Sequence, residues 1–245
     1  MTEFELATLI TERVRDAGGR ALFVGGWVRD RLLGREAKDI DLEVYGVEAA
    51  QLRELLERFG DVNTVGESFT VYKVGPVHVS IPRTESKSGR GHRGFTVKGD
   101  PDLPLVEAAR RRDFTINAMA IPIAHCDEQN WSDIVVDPQN GLTDLSNNTL
   151  RCLNKHVFEQ DGLRLLRGVR LAHKLNLRLE PVTVNNMRAS SKNIELVSAE
   201  RLRDEFLYIM SSKSARSQLE ILDRLDVLCR IIPELAHTKG VDQPN

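Results

Sequence analysis

The first 150 residues switch repeatedly between the apolar spacing of helices and that of strands. Residues 4–17 carry apolar side chains three and four positions apart, which predicts an amphipathic helix. Residues 21–24 form a short apolar run ahead of Gly25-Gly26, and residues 40–45 (IDLEVY) alternate, so both segments predict strands. Further elements predicted in the same way are helices over residues 27–34 and 47–59 and a hairpin of two strands over 70–81.

The pattern changes in the last third of the chain. After about residue 155 the alternation typical of strands fades, and apolar side chains recur at helical spacing. This change predicts a mixed domain over residues 1–150 and a helical domain over 151–245. A length of 245 residues leaves room for one large or two small domains.

Composition excludes several classes of protein. The chain is 41% hydrophobic and 29% charged, with a mean hydropathy of −0.31, and no apolar run approaches the ~20 residues that span a bilayer. Its three cysteines are scattered and form no CxxC pair, which argues against a disulfide framework and against a zinc site. We therefore expect a cytoplasmic globular protein rather than a membrane, secreted or disordered one.

The net charge of −2 hides two strongly basic segments. Residues 83–112 hold eight Lys and Arg against four Asp and Glu, and residues 151–178 hold seven against two. The rest of the chain therefore carries a net charge of −11. Positive stretches on an otherwise acidic protein indicate phosphate binding at a defined place rather than general attraction to nucleic acid.

A glycine pair between a strand and a helix forms the first candidate site. Gly25 and Gly26 allow the backbone to approach a ligand closely, the following helix offers free N–H groups to phosphate, and Arg29 adds a charge. Asp39 and Asp41 lie two positions apart at a strand, so both carboxylates point to one side. Such close like charges are unfavourable unless a cation lies between them. Alone, each feature is typical of an ordinary turn or strand start; together they favour a phosphate and cation site.

Carboxylate oxygens beside a nucleotide phosphate suit Mg²⁺, which binds through one or two carboxylates and keeps several waters. In a site with two such ions about 3.5–4 Å apart, one ion activates an attacking hydroxyl and the other stabilises leaving pyrophosphate. The pattern therefore predicts nucleotidyl transfer, with Asp39 and Asp41 as catalytic metal ligands.

Two clusters further along the chain place guanidinium groups near carboxylates. Arg112 and Asp113 can hold the phosphate and the sugar hydroxyls of a nucleotide, although alone they are more typical of a surface ion-pair network. Asp161 and Arg164 present acceptors and donors that suit the Watson–Crick edge of a base. The basic side chains on one side of the helix that follows are Arg164, Arg167, Arg170 and Lys174. Alone, this basic side is equally typical of a solvated face.

Five segments resemble, in order, the motifs of the class II tRNA nucleotidyltransferase and bacterial poly(A) polymerase family, within the polymerase-β-like superfamily. They are LFVGGWVRDRLLGREAKDIDLEVYG (22–46), RRDFTINA (111–118), DPQNGLTDL (137–145), QDGLR with the following Arg167 and Arg170 (160–170), and SAERLRDE (198–205). Because all five occur in the right order, the resemblance is specific.

The resemblance implies an α+β fold: a polymerase-β-like head with a small mixed sheet and helices, followed by an all-α neck that recognises the base. It also implies that the body and tail found in relatives are absent from this chain. It further implies a set of nucleotide-binding residues. The triphosphate is held by Gly25, Gly26 and Arg29, and the sugar by Arg112, Asp113 and Asn117. The base is read by Asp161 and Arg164, while Arg167 and Arg170 hold triphosphate oxygens or position the base-reading residues.

The implied reaction is template-independent, Mg²⁺-dependent transfer of CMP or AMP from CTP or ATP to the 3′ end of tRNA. A poly(A) polymerase acting on other RNA 3′ ends, a specialist adding only CC or only A, and a non-catalytic RNA- or nucleotide-binding remnant remain open alternatives. Three departures from the family pattern bear on this choice: Gln160 replaces a Glu, His78 replaces an acidic residue, and Asn140 replaces a frequent Gly. They affect base selection, metal binding and a hinge, respectively.

Overall fold

A computed structural model describes residues 1–37, 39–64, 71–87, 95–122 and 131–241 of the chain. Backbone contacts divide the chain into two compact units, one of Met1–Ser86 with Thr96–Thr143 and one of Lys87–Phe95 with Asp144–Asn245. The main division therefore falls after Thr143. The domain boundary near residue 150 stays a prediction from the sequence.

The first unit holds most of the strands. Its helices are α1 (Glu3–Asp16), α2 (Gly26–Leu32), α3 (Ala49–Leu56), α4 (Leu105–Ala109) and α5 (Trp131–Ile134), and α6 (Gly141–Ser146) begins in it. Short 3-10 turns cover Glu57–Phe59 and Thr115–Asn117. The strands are β1 (Arg20–Val24), β2 (Ile40–Tyr45), β3 (Val62–Thr64), β4 (Val71–Val74), β5 (Val77–Ser80), β6 (Arg83–Lys87), β7 (Phe95–Gly99) and β8 (Ala120–Pro122); the last residue of β6 and the first of β7 belong to the second unit.

Six of these strands form one sheet in the order β3-β4-β5-β2-β1-β8, and β6 pairs with β7. Strand β2 pairs with β5 in parallel, with Asp41 opposite His78, while β1 pairs antiparallel with both β2 and β8. The predicted hairpin is confirmed as β4 and β5, joined at Gly75, which has a φ of 54°. This mixed sheet places the carboxyl end of β1 beside the start of β2.

Helix α1 covers one face of the sheet because its sequence is both capped and amphipathic. Thr2 forms a capping box with Glu5, and the apolar stripe of Leu6, Ile10 and Val14 is buried. The helix packs mainly against β1. The prediction of a helix over residues 4–17 is therefore confirmed to within one residue at each end.

An aromatic stack supports the turn between β1 and α2. The ring of Phe23, at the end of β1, stacks on Trp27 with centroids 4.1 Å apart, and Phe4 of α1 stacks on Phe23 at 5.7 Å. Trp131 of α5 meets Trp27 edge-to-face at 5.5 Å. Rings in these arrangements contribute about 0.5–1.5 kcal/mol per pair beyond their burial, so the turn rests on a rigid base.

The second unit is mainly helical. Its helices are α7 (Val157–Gln160), α8 (Arg164–Leu175), α9 (Pro181–Ala189), α10 (Ala199–Met210), α11 (Ala215–Arg224) and α12 (Leu228–Ile231), with 3-10 turns over Ser191–Leu196 and Pro233–Thr238. Helix α8 packs against α10 and α11, and its residues Leu165, Leu166 and Val169 are fully buried. Two residues of β9 (Thr149–Leu150) pair in parallel with two of β10 (Arg178–Leu179), so this unit contains a short ladder beside its helices.

In the part of the chain that the structure describes, no helix is long and apolar enough to cross a membrane. Cys152 and Cys229 are free thiols, and Cys126 lies outside the described residues.

Candidate functional site

The turn that joins β1 to α2 brings two charged side chains close to the backbone at Gly25. Its φ of 75° and ψ of −139° lie where side chains are not accommodated. A Cβ on Gly25 would lie 3.0 Å from Arg112 Nη1 and 3.4 Å from Asp41 Oδ2. Because residue 25 has no side chain, a narrow gap, the position of one missing Cβ, lies between a guanidinium and a carboxylate. We call Gly25, Asp41 and Arg112 the Gly25 corner.

The carboxylate of this corner lies in a mixed electrostatic environment. The Asp41 side chain is half-exposed, and its Oδ1 lies 3.4 Å from Nδ1 of His78, the residue opposite it on β5. Burial raises the pKa of the Asp41 carboxyl above its usual value, Arg112 and His78 oppose this shift, and the like charge of Asp39 adds to it. Asp39 thus contributes a like charge at Asp41, and the binding of one cation by both carboxylates stays a prediction.

The donor set is suited to a hydrated divalent cation rather than to a closed protein cage. Within the described ranges, no group of three or more His, Cys, Asp and Glu is arranged to hold a metal ion. Mg²⁺ characteristically binds through one or two carboxylates, with water and substrate phosphate completing its octahedron. Asp41, beside Gly25, and Asp39, whose charge acts on it, are the residues that would hold such an ion, and His78 occupies the position of an acidic residue in the family pattern.

Three of the predicted nucleotide-binding residues are buried and bonded to one another or to neighbours. Arg29 donates from Nε and Nη2 to Asp30 Oδ1 and from Nη1 to Asn117 Oδ1 at 2.6 Å. Asn117 Nδ2 donates to Asp113 Oδ1 at 2.8 Å, and the amide of Phe114 donates to the same oxygen. The Arg29 side chain is 5% exposed. This network ties α2 to the 3-10 turn over Thr115–Asn117, so the direct phosphate contact of Arg29 stays a prediction.

Arg112 is held by a residue that sequence reasoning missed. Its Nη2 donates to Glu43 Oε1 at 3.3 Å, and the hydroxyl of Tyr45 donates to Glu43 Oε2 at 2.7 Å. Glu43 is nearly buried on β2. The signal that could have found it was the run of acidic residues at every second position, since Asp39 and Asp41 are followed by Glu43.

The third motif contains a left-handed residue where the family frequently has glycine. Asn140 adopts a φ of 58°, a conformation that asparagine tolerates better than most residues. Asp137 stabilises the following turn, because its two carboxylate oxygens accept from the amides of Gly141 and Leu142. The substitution at residue 140 therefore keeps the backbone turn that a glycine would form.

In the second unit, the predicted base-reading residues are each bonded to other side chains. Asp161 accepts both Nη atoms of Arg201, at 3.2 and 2.7 Å. Arg164 Nη1 donates to the Gln160 side-chain oxygen at 2.9 Å and to the Val157 carbonyl at 3.2 Å. Gln160 thus supplies an acceptor without the negative charge of the family's Glu.

The rest of the basic helix is unevenly exposed. Arg170 donates from Nε to Glu205 of α10, and its guanidinium lies 5.6 Å from the ring of Tyr208. Arg167 and Lys174 are exposed, whereas Leu171, on the basic side, is buried. The charged side of α8 is therefore partly a packing surface.

Comparison with known families agrees with these motifs. Residues 21–151 match the family described as "Poly A polymerase head domain", and residues 176–238 match "Probable RNA and SrmB- binding site of polymerase A". The first match alone spans more than half of the chain. The chain belongs to the poly(A) polymerase head-domain family, as its motifs predict.

Curated relatives are similar over almost the whole chain. The "Multifunctional CCA protein" of Stenotrophomonas maltophilia (strain R551-3) is 40% identical over 228 residues, which cover 90% of this chain and 53% of the relative. That of Pseudomonas fluorescens is 38% identical over 229 residues, covering 90% and 52%. The chain therefore spans about half the length of the curated relatives it matches.

Solved structures show the same fold. The "Thermotoga maritima CCA-adding enzyme complexed with tRNA_CCA" is 25% identical with a TM-score of 0.74, over 98% of this chain and 53% of that one. The Bacillus stearothermophilus CCA-adding enzyme in complex with CTP is 26% identical with a TM-score of 0.74, over 93% and 53%. The predicted α+β fold of the polymerase-β-like head followed by helices is confirmed.

Proposed function

We propose that this chain carries the catalytic and base-recognition parts of a tRNA nucleotidyltransferase, which adds CMP and AMP from CTP and ATP to the tRNA 3′ end. The observation that carries the proposal is the Gly25 corner, where a gap lies between a carboxylate and a guanidinium. Relatives 40 and 38% identical are multifunctional CCA proteins, which supports this substrate class. The proposal also implies the cytoplasmic location expected from the sequence.

The cation of this reaction would be held by Asp39 and Asp41, whose negative charges act on each other. When bound, Mg²⁺ supplies Lewis-acid activation of the attacking hydroxyl and neutralises charge on the triphosphate. Arg112 contributes a fixed positive charge at the gap beside Gly25, where a triphosphate would approach the backbone. Arg29, Asp113 and Asn117 keep the surrounding turns in place.

The reaction forms one bond and breaks another at the α-phosphorus of the nucleotide. The RNA 3′-hydroxyl oxygen bonds to this phosphorus, the bond from phosphorus to the bridging oxygen breaks, pyrophosphate leaves, and the hydroxyl proton passes to solvent. The protein contributes by positioning and by charge, because a preorganised guanidinium stabilises charge that develops in the transition state.

Selection of the base is assigned to the second unit. Asp161 and Arg164 lie at the start of α8, and each offers hydrogen-bonding atoms to a base. Arg201 orients the carboxylate of Asp161, and Gln160 orients Arg164. Arg167 and Arg170 supply further positive charge along the same helix for triphosphate oxygens or for positioning.

The test is addition to three tRNA transcripts that lack A, CA or CCA, each incubated with CTP or ATP separately, with and without Mg²⁺. We expect CTP to add at most two nucleotides to the two shorter transcripts and ATP to add one nucleotide to the transcript that ends in CC. Asp41→Ala should abolish extension, while Glu57→Gln, on the exposed end of an ion pair with Arg53, should not.

A poly(A) polymerase is the second candidate, since the family that matches residues 21–151 is described by that activity. Long homopolymer tails on RNAs unrelated to tRNA would favour it and would contradict CCA addition. Nucleotide binding without pyrophosphate release, unchanged by Asp41→Ala, would instead favour a non-catalytic remnant.

A further inference from the structure

Glu43 is a nearly buried acidic residue that the proposed reaction leaves without a role. It follows Asp39 and Asp41 at every second position, so its side chain lies on the same side of β2. A carboxylate this deeply buried is costly unless it is paired and hydrogen-bonded. The hydrogen-bond partners of the Glu43 carboxylate should therefore indicate its role.

Both oxygens of Glu43 are engaged by residues of the first unit. Oε2 accepts the hydroxyl of Tyr45 at 2.7 Å, and Oε1 accepts Nη2 of Arg112 at 3.3 Å. The guanidinium of Arg20 lies over the Tyr45 ring, 5.3 Å from its centroid. Burial and the nearby carboxylate raise the pKa of Tyr45, so its hydroxyl keeps its proton and remains a donor. Tyr45 thus fixes one oxygen of the Glu43 carboxylate, and the other oxygen holds Arg112.

Arg112 lies between two carboxylates of the same strand. One amino group meets Glu43, while the other lies 3.0 Å from the point where a Cβ of Gly25 would stand. Asp41 Oδ2 lies 3.4 Å from that same point, and the Arg112 charge already acts on the Asp41 carboxyl. If Glu43 lost its charge, the remaining attraction would draw the guanidinium toward Asp41 and close the gap.

We propose that Glu43 is a positioning residue that holds Arg112 away from Asp41, which leaves the Arg112 guanidinium to meet the nucleotide at the Gly25 corner and leaves Asp41 available to a cation. The inference rests on the proposed function, because it takes the corner as the nucleotide site. Glu43 acts through Arg112 and contacts no substrate itself. Removing its charge should therefore weaken two ligands, nucleotide and cation, and only while Arg112 is present.

The test is a double-mutant cycle with Glu43→Gln and Arg112→Met, using the non-hydrolysable analogue α,β-methylene-CTP with Mg²⁺ in titration calorimetry. Gln keeps the shape and an acceptor for Tyr45 while removing the charge. We expect Glu43→Gln to weaken analogue binding about tenfold when Arg112 is present, and less than about twofold when it is added to Arg112→Met. Mn²⁺ binding without nucleotide, counted by electron paramagnetic resonance, should weaken in the single variant Glu43→Gln and not in the double variant.

Equal weakening in both backgrounds would mean that Glu43 acts on the fold, and this result overturns the inference while leaving the nucleotide site intact. No effect of Arg112→Met on analogue binding would overturn the proposed site itself. Glu57→Gln, the same chemical change on an exposed helix end, is the matched control. If Glu43→Gln does not fold, Tyr45→Phe removes the hydrogen bond that fixes Glu43 and should give a smaller effect in the same direction, again dependent on Arg112.

Discussion

The two units hold their charged residues in different ways. At the Gly25 corner, Asp41 and Arg112 lie beside a gap that exists because residue 25 has no side chain. At the start of α8, Asp161 and Arg164 are engaged by Arg201 and Gln160. The first arrangement sets two opposite charges beside a backbone position that has no side chain. In the second arrangement, Arg201 and Gln160 orient Asp161 and Arg164. These two residues must share or exchange hydrogen bonds with their partners in order to bind a base.

Removing the carboxylate of the corner should have the largest effect. Asp41→Ala is expected to lower the rate of nucleotide addition by at least about a hundredfold, because charge stabilisation at the reacting centre is lost. Pyrophosphate release measures this rate. Thermal unfolding of the variant should remain cooperative, and a variant with near-normal addition would contradict the assignment of Asp41.

Filling the gap should have the next largest effect, and the chain offers a matched control. Gly25→Ala combines a backbone cost of about 1–3 kcal/mol with a Cβ that meets Arg112, so it should lose both stability and nucleotide affinity. Gly34 also has a positive φ, of 64°, but a Cβ there meets nothing within 4 Å. Gly34→Ala should therefore lose about 1 kcal/mol of stability and keep its affinity. Denaturant unfolding and calorimetric titration with CTP separate the two effects.

A smaller effect is expected from the second unit, where selectivity rather than rate should change. Arg164→Ala should reduce the preference for CTP over UTP by about tenfold, as expected for loss of a directed hydrogen-bonding pair to a base. The ratio of kcat/KM values for the two nucleotides measures this preference. Arg216→Ala, at a side chain that is 94% exposed, is the control. An unchanged ratio in Arg164→Ala would contradict the assignment of α8 to base recognition.

The smallest expected effect is on the pH dependence of stability, through His173 of α8. Burial lowers the pKa of His173, so the folded protein favours the neutral ring. As the pH falls, His173 is therefore protonated in the unfolded chain before it is protonated in the folded protein. The stability that the neutral His173 ring contributes is present above about pH 6.5 and is lost as the pH drops through the folded-state pKa. His173→Gln should therefore lose less unfolding free energy than the parent between pH 7 and pH 5. Denaturant unfolding at both values checks this, with the exposed His237→Gln as the control.

Local features of the first unit were accessible from the sequence because they depend on neighbours along the chain. The strand over residues 40–45 and the turn at Gly25 follow from alternation and from glycine. The pairing of Glu43 with Arg112 joins residues 69 positions apart, and that of Asp161 with Arg201 joins residues 40 apart. Such partners depend on how the elements pack, which the spacing of apolar residues does not specify.

The burial of Arg29 illustrates the same limit. A basic residue in the first turn after two glycines suggests a group that faces a ligand, and its motif supports that interpretation. In the structure its side chain is buried beneath the turn and divides its hydrogen bonds between Asp30 and Asn117. Its phosphate contact stays a prediction, whereas the partners that fix its side chain could not be read from its place after the glycines.

The stacked tryptophan rings beside the turn also provide an intrinsic fluorescence probe of unfolding. The chain has two tryptophans, Trp27 and Trp131, and both belong to the first unit. Their emission therefore reports melting of the sheet-containing unit, while far-ultraviolet dichroism reports the helices of both units. Recording both signals in one denaturation series would tell whether the two units unfold together or one after the other.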